Sequence, residues 1–176
     1  MFYSFKQSCF SNKTFTDDEH NDHSNSKFPS VYFDPELPQL EFIWITENNV
    51  GWALINKHFI PSGTKISKYG GSKLRDIDTV RKRILSGNNK ILQSKIPNLW
   101  YDGEKSKYPG PYLNHACKCQ ANCELVFDNN NEPHFIAYFD IPAGTILTFD
   151  YNLNIAGIKK LPSMKWFVNY KCTNCK

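Results

Sequence analysis

Two short runs of this 176-residue chain hold side chains that neither a helix nor a core asks for. Tyr112-Leu113-Asn114-His115-Ala116-Cys117 sets an amide beside an imidazole, and Leu147-Thr148-Phe149-Asp150-Tyr151 closes a strand-like run with an acid and a phenol. An Asn amide both donates and accepts, so it can grip the polar edge of a ligand. A phenol held in place is a fixed dipole that orients an incoming group where charge shifts during reaction. The cysteines offer a second chemistry. Five of the six fall in two clusters: Cys117, Cys119 and Cys123, then Cys172 and Cys175. In an intracellular protein such clusters point to a metal site rather than a disulfide framework. Cys172-Thr173-Asn174-Cys175 has zinc-ligand spacing, and His115 with Cys117 is another candidate pair. Each residue also has a plainer reading. Tyr151 can end a strand with its ring in the core, Phe149 and Trp52 can be packing, and the cysteines can be ordinary thiols.

Short strands must position these groups. Phe42 to Thr46 is aromatic and β-branched and closes on Glu47-Asn48-Asn49 as a turn. Trp52 to Asn56 and Lys65 to Tyr69 read alike, and Cys123 to Phe127 with His134 to Phe139 forms a hairpin around Asn129-Asn130-Asn131. Ile60-Pro61-Ser62-Gly63-Thr64 recurs as Ile141-Pro142-Ala143-Gly144-Thr145, the same turn chemistry used twice. Asp76 to Ser86 is the one helical stretch, with Ile77, Val80, Ile84 and Leu85 at helical spacing and Gly87-Asn88-Asn89 as its stop. The expected class is mainly β with one or two short helices. Ser8 to Ser30 holds little to bury, so residues 1–30 read as a flexible arm, with ordered structure starting near Val31.

The two chemical runs resemble the paired signature of the SET-domain protein lysine methyltransferases, usually Asn-His-Ser-Cys and Leu-Thr-Phe-Asp-Tyr. Val50-Gly51-Trp52-Ala53-Leu54, the Ile60 to Thr64 turn and Tyr69-Gly70-Gly71 match the family's opening strand, turn and strand end, in order. The resemblance runs from about Phe42 to Cys175. It implies a SET domain over residues 31–155 built of several small sheets with a knot-like crossing, and a post-SET-like segment over 156–176. It also implies methyl transfer from S-adenosylmethionine to a protein lysine, with Tyr151 and Tyr69 as the catalytic tyrosines. Gly51, Trp52, Tyr69, Asn114 and His115 would contact the cofactor, and Phe149 with Tyr151 would line the lysine pocket. Phe149 stands at the product-specificity position, where Phe leaves room for a methylated amine. Zinc would be held by Cys117, Cys172 and Cys175, with Cys123 or Cys119 as the fourth ligand. The chain departs from the pattern at Ala116, which replaces Ser, and in a tail that has two cysteines where three are usual.

The resemblance implies a histone tail or nucleosome as substrate and a nuclear location, with the cytoplasm as the alternative. A lysine methyltransferase for a non-histone protein and a catalytically idle SET-like module that binds chromatin partners are the rival functions. Charge adds to this. The formal net charge of +4 hides ten Lys/Arg against two acids from Lys57 to Lys95. From Trp100 to Tyr151 three lysines face seven acids. The basic segment suits a weak DNA contact and the acidic one a basic peptide. No apolar run approaches the roughly 18 residues of a membrane span, and Met1-Phe2-Tyr3-Ser4-Phe5-Lys6 lacks a signal-peptide core, so neither insertion nor export is expected.

Overall fold

The computed structural model describes residues 29–46, 51–88 and 90–151. The expected arm up to residue 28, the Glu47-Asn48-Asn49 turn and the C-terminal segment with Cys172 and Cys175 lie outside the described residues. Among the described residues are ten strands, one α-helix and a 3-10 turn at Gly110–Tyr112, in four small sheets. No described helix is long and apolar enough to cross a membrane.

β1 (Leu40–Ile45) and β2 (Gly51–Asn56) pair antiparallel, with Phe42 opposite Leu54 and Trp44 opposite Trp52. The expected strand began at Phe42, but pairing draws in Leu40 and Glu41 as well. Ala53 and Leu54 are consecutive yet both fully buried, so β2 is covered on two faces. At its end Asn56, a fully buried amide, donates to the carbonyls of His58 at 2.8 Å and Pro142 at 2.7 Å and accepts the Thr145 N–H at 2.8 Å. This amide stitches β2 to the second of the twin turns. The turns also meet each other, because Ile60 and Ile141 exchange backbone hydrogen bonds at 2.9 and 2.8 Å. The recurring sequence is therefore a pair of turns built to face one another.

β3 (Lys65–Lys68), β8 (Cys123–Phe127) and β9 (Pro133–Ala137) form a sheet in the order β3-β9-β8. β9 alternates as a half-buried strand must, with Pro133, Phe135 and Ala137 inward. The hairpin loop is where the Asn run placed it, although the strand stops at Ala137 and leaves Tyr138 and Phe139 exposed. Leu54, Ile60, Ile66, Leu113, Phe135 and Leu147 are almost fully buried in one core. Each such side chain contributes about 1.5–3 kcal/mol on burial.

The segment between Gly71 and Trp100 holds a sheet that hydrophobic periodicity did not reveal. β4 (Ser72–Leu74) and β5 (Ile91–Gln93) flank β6 (Trp100–Asp102), all antiparallel. The helix α1 (Ile77–Leu85) lies against them, burying Val80 and Ile84 with Ile91 and Trp100 in a second small core. Its N-cap is Asp76, whose carboxylate accepts the Asp78 and Thr79 N–H groups, and it ends at Ser86 just before Gly87.

Asp102 ties this subdomain together. It is 6% exposed and accepts from Arg83 Nε at 2.8 Å, Asn88 Nδ2 at 2.8 Å and the Glu104 N–H at 3.0 Å. Burial alone would push its pKa up, but these donors outweigh it and the carboxyl titrates below its usual value. A depressed carboxyl contributes stability above its unfolded pKa of about 3.9 and loses it as pH falls through the folded value. The insert sheet should therefore loosen below about pH 4. Asp102→Ala at neutral pH should cost roughly 3 kcal/mol, at the low end for a broken buried pair because Arg83 is partly in water. Urea titration of the two proteins measures it; a loss below about 1 kcal/mol would show that the network carries little.

Candidate functional site

β7 (Asn114–His115) and β10 (Thr148–Phe149) run parallel, Thr148 opposite Asn114 and Phe149 opposite His115. This contact joins the two runs that the sequence singled out. Strands of two residues need outside support. The Asn114 N–H donates to Leu147 O at 3.3 Å and the Ala116 N–H to Phe149 O at 3.1 Å. Asn122, buried and unremarkable in sequence, accepts the Thr148 N–H at 2.8 Å and donates to Ile146 O at 2.7 Å. An Asn beside a strand start carries no specific signal, which is why sequence reading passed over it.

Tyr151 follows β10, and its hydroxyl donates back to Leu113 O at 2.6 Å. Its N–H donates to His115 Nδ1 at 3.2 Å. That bond requires an unprotonated Nδ1, and burial holds the imidazole pKa below its usual value despite the opposing pull of Asp150 and the Phe149 backbone. Tyr69 is 3% exposed and donates its hydroxyl to Lys90 O at 2.7 Å. A run of rings links the two phenols: Tyr69 to Phe135 at 6.3 Å, Phe135 to Phe149 at 4.7 Å, and Phe149 to Tyr151 at 4.6 Å. Burial pushes both phenol pKa values well up, and Tyr151 and Asp102 raise that of Tyr69 further. Both phenols are neutral at physiological pH, with each proton committed to a backbone carbonyl. Their oxygens keep lone pairs as acceptors.

Around the other face, Trp52 packs edge-on against Trp44 at 5.1 Å and Phe42 at 6.2 Å, and Phe42 packs against Tyr112 at 5.1 Å. Gly51 opens β2 at φ +80°, a backbone that side-chain-bearing residues rarely adopt. Asn114 Nδ2 is buried with no hydrogen-bond partner among the described residues. An orphaned buried donor costs about 1–3 kcal/mol unless a ligand acceptor meets it. An adenine ring edge or an amino-acid carbonyl supplies such an acceptor, so the residues present fit a nucleoside cofactor.

The cysteines divide. Cys117 is buried two residues past the end of β7, Cys119 is exposed, and Cys123 lies in the core with its thiol donating to Asn122 Oδ1 at 3.2 Å. Burial pushes the Cys123 thiol up to about 12, the opposite of what a thiolate ligand needs. Bound zinc would itself draw the proton off a coordinating thiol, so Cys119 and Cys123 both stand as the fourth ligand. Among the described residues no three His, Cys, Asp or Glu side chains group as a metal site. The basic segment is also less available than its composition suggests. Lys57, Lys73, Arg81 and Arg83 are paired with Glu41, Glu132, Asp78 and the Asp102/Glu104 couple.

The SET domain family matches residues 51–152. Mouse histone-lysine N-methyltransferase NSD3 is 32% identical over 116 residues, covering 61% of this chain and 8% of that protein. The human histone-lysine N-methyltransferase described as H3 lysine-36 specific is 30% identical over 131 residues, covering 69% of this chain and 5% of its own length. The chain thus spans under a tenth of these curated relatives. Among solved structures, ctPRC2 in an autoinhibited conformation bound to S-adenosylmethionine superposes with a TM-score of 0.59 at 20% identity, covering 70% of this chain and 16% of that one.

Proposed function

The chain belongs to the SET domain family, and from that premise we propose that it transfers a methyl group from S-adenosylmethionine to a lysine of a protein, most simply a histone tail. The observation that carries this reading is the parallel contact of β7 with β10, which sets a buried, orphaned Asn114 amide on the strand beside the one that carries Phe149 and leads to Tyr151. Asn114, His115, Gly51, Trp52 and Tyr69 would hold the cofactor. When bound it supplies a methyl group on a positively charged sulfur, ready for in-line displacement.

The chain's own task is to deliver a neutral, aligned amine. A solvated lysine has a pKa of about 10.4, so only about one in 10³ is neutral at pH 7. Tyr69, Phe135, Phe149 and Tyr151 form an apolar lining that disfavours the ammonium form. Both phenols are already protonated and so cannot act as the base, and the amine's proton leaves to water as the lysine enters the pocket. With their own protons tied to Lys90 O and Leu113 O, they accept the N–H groups of the amine and aim its lone pair. Such near-attack placement can contribute roughly 7–11 kcal/mol. Phe149 adds no hydroxyl to crowd the pocket, so the product extends beyond monomethyl-lysine.

Two measurements test the reading together. Calorimetry should detect S-adenosylmethionine binding, and labelled cofactor with a panel of histones and other proteins should yield methylated lysines, counted by mass spectrometry. Absence of both would identify an idle module. Asn114→Ala should weaken cofactor binding by about 1–3 kcal/mol while barely changing stability, since the amide has no other described partner to lose. An unchanged dissociation constant would move the cofactor elsewhere.

The histone assignment is supported by the relatives' names and by the acidic Trp100 to Tyr151 segment, which complements a basic tail. Action on histones would require a nuclear location, which is in keeping with the relatives' names. DNA contact falls to the basic side chains that acids leave over, such as Lys65, Lys68 and Lys95. Zinc would join Cys117, and either Cys119 or Cys123, to Cys172 and Cys175. A chelator should then lower the melting temperature and cofactor affinity together, with a single zinc found per chain by elemental analysis. Metal-free protein of full affinity would leave these as ordinary thiols.

A further inference from the structure

Lys90 has both ends of its backbone fixed and no task yet assigned to its side chain. Its N–H donates to Asn88 Oδ1 at 2.9 Å, and its carbonyl accepts the Tyr69 hydroxyl at 2.7 Å. The side chain is half-buried and lies over Tyr112, with Nζ 3.5 Å from the ring centroid. Burial draws its pKa down, with only Glu104 pulling the other way. Glu104 is not its counter-ion, because that carboxylate is held by Arg83 at 2.5 Å. No described residue forms an ion pair with Lys90. The aromatic face offsets part of the desolvation cost, but a half-buried ammonium without an anion remains unmatched.

Its surroundings indicate which anion would match it. Tyr112 stands two residues before Asn114, and its ring continues through Phe42 to Trp52. The ammonium of Lys90 therefore sits on the aromatic cluster, and the orphaned amide of Asn114 follows Tyr112 by two residues in the chain. Adenine and ribose are neutral, and a sulfonium would be repelled by an ammonium. The methionine end carries the cofactor's carboxylate. We propose that Lys90, seated on Tyr112, is the cation that receives the carboxylate of S-adenosylmethionine and makes the site selective for cofactors that carry one. This rests on the methyl-transfer reading above. It also gives the insert sheet a function, because Asn88 and Asp102 fix the backbone from which Lys90 reaches.

The test compares calorimetric affinities for S-adenosylmethionine and for decarboxylated S-adenosylmethionine, which keeps the adenosine, the sulfonium and the amine. The parent protein should bind the decarboxylated form about tenfold or more weakly. Lys90→Met should lose about tenfold or more for S-adenosylmethionine and less than about twofold for the decarboxylated form, while Lys90→Arg keeps most of the discrimination. Equal losses for both compounds would make Lys90 a structural residue and overturn the proposal. So would a parent that binds the two equally, an outcome readable even if Lys90→Met fails to fold. A parent that binds neither compound would instead overturn the methyl-transfer reading itself.

Discussion

Replacing Tyr151 with phenylalanine should slow methyl transfer by about 10²–10³-fold while leaving cofactor affinity within about twofold. The change removes one oxygen. The ring contacts with Phe149 at 4.6 Å and His115 at 5.1 Å survive, as does the backbone bond to His115 Nδ1. Two things are lost: the acceptor that aims the amine, and the bond to Leu113 O. The second costs about 1 kcal/mol of stability, because it leaves a carbonyl unpaired. The first costs rate alone, since it acts only on an amine already in the pocket. Tyr69→Phe should act in the same direction. Its hydroxyl also ties the chain at Lys90 O, so its stability loss should come with a weakened cofactor site. Single-turnover rates with saturating cofactor separate these effects, and a Tyr151→Phe enzyme within about threefold of the parent would remove Tyr151 from the chemistry.

How much of this site could be read from the chain depends on whether a feature is written in side chains or in backbone contacts. The helix was legible because Asp76, the spacing of Val80 and Ile84, and Gly87 each signal it through the residue itself. The β8–β9 hairpin was legible for the same reason, with alternation on Pro133, Phe135 and Ala137 and a polar loop between. That Asn114-His115 and the run ending in Tyr151 belong to one signature came from motif resemblance, whereas the pairing of Asn114-His115 with Thr148-Phe149 was not read, since strands of two residues have no periodicity. The insert sheet stayed hidden because three-residue strands such as Ser72–Leu74 are too short to show alternation. The partners of both phenols are the carbonyls of Leu113 and Lys90, which any residue would supply. Asn122 and Asn88 look like loop residues in sequence and Asn56 like a strand end, yet all three act as buried connectors because of where distant segments arrive. The cysteines were legible as a cluster, but only their surroundings separate Cys123, packed in the core, from Cys119 at the surface.

Substituting alanine at Gly71 should be among the most destabilising single changes in the chain, about 4 kcal/mol or more, with little folded protein recovered. Gly71 sits at φ +95°, and a Cβ there would lie 2.2 Å from the carbonyl oxygen of Asp102 and 2.7 Å from its carbon. Those are backbone atoms of β6, so no side-chain rotation relieves the clash. The strand would have to move, and with it the Asp102 bonds to Arg83 and Asn88. Gly63 provides the control. It has a similar φ of +78°, but a Cβ would meet nothing within 4 Å, so Gly63→Ala should cost only the left-handed backbone penalty of about 1–2 kcal/mol. Comparing urea midpoints of the two variants isolates close approach from backbone strain. If Gly71→Ala proves as mild as Gly63→Ala, β4 and β6 can separate without harm. The expected outcome is the reverse, because Gly71 directly follows Tyr69-Gly70 and the packing it permits holds the insert sheet against the strand end that carries Tyr69. A Cβ at this position would push β6, and Lys90 bonded to Gly103 just after it, away from that phenol, so any folded Gly71→Ala protein should also bind cofactor poorly.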